Sequence, residues 1–263
     1  MSVILEHNAG FFSCCSVKLD RIVNYINVHN NFPEHVDSSR QFIWYKMNNQ
    51  GDITYDYFEH YDNVPNKLCG EYIDYLDIYQ FEDYSRLPYE KINLVIQKYF
   101  SPSFEVTQII ANIESKYNID YDNICVLFYR GNDKNGETSI CEYSEYVDYA
   151  KLIISKNPEI KFLLQSDETE FFEFMSSLFP ENSFYFTDEI RHMRKDEHNT
   201  VDHVMRDNID IYSKNYLAIT IIMSKCKYIV CGSGNCSIWI MLYRGNSQNV
   251  CQNLTGQWVT NII

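Results

Sequence analysis

The chain has no apolar run approaching the roughly 18 residues that a membrane-spanning helix requires. Its first residues, MSVILEHNAGFF, lack the basic start and long apolar stretch of a secretory leader. Both absences predict a soluble, cytoplasmic protein without a membrane span. Basic residues are scarce, with 22 Lys and Arg against 36 Asp and Glu, a formal net charge of −14. So acidic a surface repels phosphate backbones and argues against a nucleic-acid partner. No CxxC pair occurs among the nine cysteines, and Cys226, Cys231 and Cys236 recur every five residues on an apolar run. That pattern reads as reduced core thiols, not a disulfide framework or a zinc site. Neither a Walker A loop nor GxGxxG is present, which excludes the usual phosphate loops of ATP hydrolysis and NAD binding.

What is present is a folding sequence: 45% hydrophobic and 16% aromatic, with 22 tyrosines. SVILEH followed by NAG and helical spacing over 11–28 predicts strand, turn and helix, and FPEHVDSS a second strand ending at Asp37. Residues 45–90 show no clear period and read as short helices and loops packed by tyrosines. SPSFEVTQIIANIESKY predicts a helix capped by Ser103, with Phe104, Ile109, Ile110 and Ile113 on one face.

From residue 123 the alternation is regular. NICVLFYR, IKFLLQSD, SFYFTD, KYIVCGS and QNVCQN read as strands, and 143–156, 168–179, 213–225 and 236–243 as helices. This predicts an α/β fold with a parallel sheet covered on both faces. Ligands of such sheets sit beyond the carboxyl ends of the strands. Those ends carry YRGNDK, QSDE, FTDE and CGSGNCS, all polar.

Arg130 leaves the first of these strands, and a guanidinium there suits bidentate capture of a diphosphate, with Gly131 allowing close backbone approach. Asp133 and Lys134 follow; an exposed loop with an Arg–Asp surface pair is the plainer reading. Asp167 and Glu168 can accept from a ribose hydroxyl or a base amine, and equally suit a helix N-terminus. Ser233, Gly234, Asn235, Cys236 and Ser237 sit between strand and helix, where unpaired amides and two hydroxyls can hold an anion.

These segments resemble the fucosyltransferase-like glycosyltransferases of the two-Rossmann (GT-B) type, including the α1,6- and protein O-fucosyltransferases. VLFYRGNDK is similar to the family's His-x-Arg-Arg-x-Asp-Lys strand end, and FLLQSDE to its Thr-Asp-Asp segment. LAITIIMSKCKYIVCGSGNCSIWIMLY is similar to its helix, strand and Ser-rich phosphate loop. EHNAGFFSCCSVKLDRIVNYI resembles its acceptor-side glycine loop and helix, which assigns Asn8, Gly10 and Phe11 to an acceptor-side loop.

The resemblance implies two Rossmann-like halves, 1–118 for the acceptor and 119–263 for the nucleotide-sugar. It assigns the β-phosphate to Arg130, the pyrophosphate site to Ser233, Asn235 and Ser237, and the base or ribose to Asp167. Phe128 replaces the family's histidine and Gly131 its second arginine, which leaves the donor open between GDP- and UDP-linked sugars.

The reaction implied is inverting transfer of a sugar to a glycan hydroxyl, without metal or other cofactor, since Arg130 and helix-start amides meet the charge growing on the leaving diphosphate. A base from the other half is then needed, and Glu6, Asp37 and His7 are the candidates. Asp120-Tyr121-Asp122 precedes its strand and reads as a turn, not a metal-binding DxD. The segment RHMRKDEHNTVDH (191–203), with His192, His198, His203, Asp196, Glu197 and Asp202, reads as a charged loop near the donor site, from which Arg191 or Arg194 reaches the donor. A nucleotide-sugar-binding scaffold without turnover and another α/β nucleotide-cofactor transferase remain rival readings.

Overall fold

The computed structural model describes residues 2–47, 51–60, 72–187, 192–196 and 199–262. At the N-terminus, β1 (Ser2–His7) and β2 (His35–Gln41) pair in parallel around α1 (Phe11–His29). Helix α1 buries Phe11, Cys15, Leu19, Ile22 and Ile26, a three-to-four spacing that gives one apolar face. It stops at Asn30, whose left-handed backbone (φ 51°) returns its N–H to the Ile26 carbonyl. Strand β2 does not end at Asp37. Val36, Ser38 and Gln41 are buried, and the Ser38 N–H donates to Asp52 Oδ2 at 2.8 Å, which carries the strand onward.

The aperiodic stretch holds α2 (Thr54–Tyr57), β3 (Phe58–Glu59) and α3 (Tyr89–Tyr99). Strand β4 (Ser101–Pro102) pairs antiparallel with β3 and leads into α4 (Phe104–Tyr117). Ser103 caps α4 as expected, accepting from the Val106 N–H at 3.3 Å. Phe104 is 69% exposed, so the buried face of α4 is that of Val106 and Ile110, rotated from the predicted one.

The second half comprises β5 (Ile124–Tyr129), α5 (Tyr143–Lys156), β6 (Lys161–Ser166), α6 (Thr169–Leu178) and β7 (Ser183–Phe184). There follow α7 (Val201–Val204), α8 (Ile209–Lys225), β8 (Tyr228–Gly232), α9 (Asn235–Arg244), β9 (Val250–Leu254) and β10 (Gln257–Asn261). The six strands run in the order β10-β9-β8-β5-β6-β7, parallel except for β10. Strand β7 is only a two-residue edge, shorter than SFYFTD suggested. The β9–β10 hairpin was not anticipated; its turn residues Thr255 and Gly256 both have positive φ (51° and 84°), which matches the twist of the strands they join.

Every residue of β5 is buried, as befits the centre of a sheet covered on both faces. Cys125, Leu127 and Tyr129 pack with α5 and α6. Val126 and Phe128 face α8 and α9, in a core that continues into α1, α3 and α4. Trp239 of α9 is fully buried there, its ring centroid 4.7 Å from Phe100 and 6.1 Å from Phe12. The strand order reverses between β5 and β8, which opens a crevice at their carboxyl ends.

The eight described cysteines are all buried and unbridged, and Cys69 lies outside the described residues. Among the described residues no helix is long and apolar enough to cross a membrane.

Candidate functional site

Strand β5 ends at Tyr129 and hands Arg130 to the crevice, where two carboxylates from the end of β6 fasten the loop that follows. Asp167 accepts from Arg130 Nε at 2.9 Å and from the Gly131 N–H at 2.8 Å. Glu168 accepts from the Asn132 N–H at 2.7 Å and from the Tyr143 hydroxyl, whose pKa burial and this carboxylate push well up. Asn132 closes the buckle by donating to the Asp167 carbonyl at 2.9 Å. A β-carbon at position 131 would stand 2.0 Å from Glu168 Oε1, so only glycine fits. Glu168 is fully buried and does not line the crevice. Its work is to hold the loop.

Arg130 keeps 24% of its side chain exposed. Nη2 donates to Asp133 at 3.2 Å, and Nη1 lies 3.4 Å from the Tyr216 hydroxyl. Burial opposes its charge, but Asp167, Tyr216 and Asp133 outweigh that and raise the guanidinium pKa well above its ordinary value. The Asp133 carboxyl is raised by burial against the pull of Arg130.

The facing wall is the turn from β8 into α9. Gly234 takes φ 157° and ψ 171°, a region in which side chains are strained, and its N–H donates to the Tyr84 hydroxyl at 3.1 Å. Its would-be β-carbon lies 3.4 Å from Lys134 Cε, which brings the ammonium, paired with Glu137, over the turn. Helix α9 starts at Asn235 without a side-chain cap, so its first amides remain available to an anion.

Asn235 and Cys236 line the cavity; the Asn235 side chain is set by the Ser16 hydroxyl at 2.9 Å. The two serines turn away. Ser233 Oγ donates to the Asn253 carbonyl at 2.9 Å, and Ser237 Oγ to the Gly232 carbonyl at 2.5 Å. They brace the turn instead of offering hydroxyls to the crevice.

Arg130, Lys134, Asp133, Asp167, Asn235 and Cys236 thus meet at one cavity of about 240 Å³. Gly10, Phe11 and Tyr45 from the first half form the wall shared with them. An outer chamber of about 670 Å³ adjoins it and adds His203 and Arg206; Trp44, 48% exposed, borders both. Asn8 stays outside the lining, tying the start of α1 to the next turn by accepting from the Ile43 N–H at 3.0 Å.

None of the three expected bases borders the cavity. Glu6 is exposed and lies 3.8 Å from Arg40. Asp37 accepts from the Ser39 N–H at 2.8 Å, and its pKa is lowered by Ser39. His7 Nε2 stands 2.9 Å from Ser13 Oγ, its pKa lowered by burial despite Asp77. Strand alternation explains Glu6: Leu5 faces the core and its neighbour faces solvent.

The charged segment does reach the site, through Thr200, Val201 and Asp202. Arg194 instead pairs with Glu173 at 2.6 Å on α6, and Arg191, Glu197 and His198 lie outside the described residues. His192 is engaged with Thr169 at 2.9 Å. Asp120 caps a turn ahead of β5, accepting from the Asp122 N–H. Sequence reasoning missed Tyr45, Tyr84, Glu137 and Tyr216, and placed Asp202 only within a charged loop near the site. The abundance of tyrosine was the only signal for the three tyrosines, and it does not single out positions; Glu137 carried none.

No protein-family model matches the chain, and no curated protein does. Solved structures do. The α-1,6-fucosyltransferase NodZ soaked with GDP-fucose aligns with a TM-score of 0.60 at 11% identity, over 99% of this chain and 99% of that one. NodZ co-crystallised with GDP gives 0.60 at 11% identity, over 99% and 98%. NodZ from Bradyrhizobium gives 0.57 at 11% identity, over 99% and 98%. The likeness is one of fold, an α/β chain of two Rossmann-like halves.

Proposed function

We propose that the protein is a glycosyltransferase that moves a sugar from a nucleoside-diphosphate donor, UDP- or GDP-linked, to a hydroxyl of a glycan acceptor. The reading rests on one observation: Arg130, Lys134 and the uncapped start of α9 converge on a single cavity at the reversal point of the sheet. Two cations and a helix terminus suit the charge that grows on the β-phosphate as the glycosidic bond breaks, which makes a metal unnecessary, and the transfer we propose is an inverting one. Two of the NodZ structures, whose fold this chain shares, come from crystals soaked with GDP-fucose or grown with GDP, which supports a nucleotide-sugar donor. Residues 119–263 then form the donor half and 1–118 the acceptor half, with Gly10 and Phe11 on the acceptor side. Arg130 carries the β-phosphate, Lys134, Asn235 and Cys236 complete the site, and Asp167, Asp133 and Glu168 position the cations and their loop.

The test is a thermal-shift series with UDP, GDP, CDP and ADP, each with and without divalent metal. A diphosphate at 100 times its Kd adds about 2.7 kcal/mol, a shift of about 5–10 °C. One base should stabilise the protein without metal, and Lys134→Ala should weaken that binding tenfold or more. No shift with any diphosphate would sink the donor-site reading. Diphosphate binding without sugar release from any donor would make the protein a nucleotide-sugar-binding scaffold.

A further inference from the structure

Asp202 lies in the first turn of α7 and borders both the inner cavity and the outer chamber. Its Oδ2 accepts from the Tyr45 hydroxyl at 2.9 Å, and the Phe11 N–H donates to that hydroxyl oxygen at 2.7 Å. Tyr45 is 2% exposed. The relay fixes one carboxylate oxygen and leaves the other without a hydrogen-bond partner among the described residues. Burial, with Asp202 beside it, holds the phenol pKa well above 10, so Tyr45 keeps its proton and donates.

Two further carboxylates, Asp133 and Glu137, also border both spaces, but they are the partners of Arg130 and Lys134. Those cations neutralise them, and on the reading above the same cations hold the diphosphate. Asp202 is held instead by a neutral phenol, Tyr45, which lines the same cavity together with Gly10 and Phe11. An inverting transfer requires a base on the face of the sugar away from the leaving diphosphate, and Asp202 is the cavity carboxylate that no cation pairs among the described residues.

Building on the glycosyl-transfer reading above, we propose that Asp202 is the general base that deprotonates the acceptor hydroxyl, with Tyr45 as its positioning residue. The acceptor O–H proton passes to Asp202 Oδ1 as the hydroxyl oxygen forms a bond to the anomeric carbon of the donor sugar. The bond from that carbon to the β-phosphate oxygen breaks, and its electron pair leaves with the nucleoside diphosphate. The proton on Asp202 is then released to water.

Water serves as the acceptor in the test, so no glycan need be known. Release of free sugar and diphosphate from UDP- and GDP-sugars is followed for the wild type, Asp202→Asn and Asp202→Ala, alongside UDP and GDP binding to each. The isosteric variant should bind diphosphate as the wild type does, keep its KM and lose about 100-fold in kcat. Added formate should restore turnover to Asp202→Ala by supplying the missing carboxylate, which no structural role explains. Turnover by Asp202→Asn within threefold of the wild type, or no restoration by formate, overturns the assignment of Asp202 while leaving the transferase reading standing. A wild type that releases sugar from no donor overturns both.

Discussion

Lys18 shows what a single residue costs this fold. Its ammonium, on α1, is fully buried with no hydrogen-bond partner among the described residues, 5.7 Å from the centroid of the Phe100 ring. Burial pushes its pKa down from 10.5 to about 8, against the opposing pull of Asp52 and Cys15. The unfolded chain therefore binds this proton more tightly between pH 8 and 10.5. Stability must rise with pH through that window, and the penalty is present in full below it. Lys18→Met should raise stability at pH 7 by about 1–3 kcal/mol, with the gain shrinking toward pH 10.5. Urea denaturation at pH 7, 9 and 10 reads this directly. A difference independent of pH would mean that Lys18 is not the source.

At the scale of elements, the start of α9 is held from outside its own half. The Tyr84 hydroxyl accepts from the Gly234 N–H and lies 3.3 Å from the Gly234 carbonyl, and its backbone N–H donates to Gln252 Oε1 at 3.0 Å. Ser16 of α1 bridges Asn235 and the Trp239 indole, at 2.9 and 3.0 Å. A glycine turn that must present amides to an anion needs such bracing, because its own backbone is permissive. Tyr84→Phe leaves a buried N–H unpaired and should cost about 1–3 kcal/mol of stability. Diphosphate affinity, measured by calorimetric titration, should fall with it. An unchanged Kd beside lowered stability would show that the turn keeps its shape without the hydroxyl.

At the scale of the molecule, the two halves share one apolar core. Trp239 packs on Phe12 and Phe100, Tyr216 on Phe11 and Phe12, and Lys214 reaches Glu105 at 2.8 Å. Each half alone would expose a large part of that surface, so neither folds to full stability by itself. Scanning calorimetry should show a single cooperative transition for the whole chain. Two separable transitions would mean that 1–118 and 119–263 fold independently.

Much of this was legible in the chain. The strands and helices from residue 123 announce themselves because each is a contiguous run whose period its own neighbours set: Ile124–Tyr129 is apolar throughout, and Tyr143–Lys156 keeps helical spacing. The Ser103 cap is equally local, and so is the position of Arg130 and the Gly234 turn at strand ends. Which side chains then face the cavity was decided elsewhere. Asn253 and Gly232 turn Ser233 and Ser237 away, Gly131 draws Glu168 beneath the loop, and Tyr45 meets Asp202 across 157 positions of chain. A sequence displays periods of two and of three to four residues, and these specify elements. A site assembled from hydrogen bonds between distant segments depends on strand order and shared packing, and no local pattern encodes either.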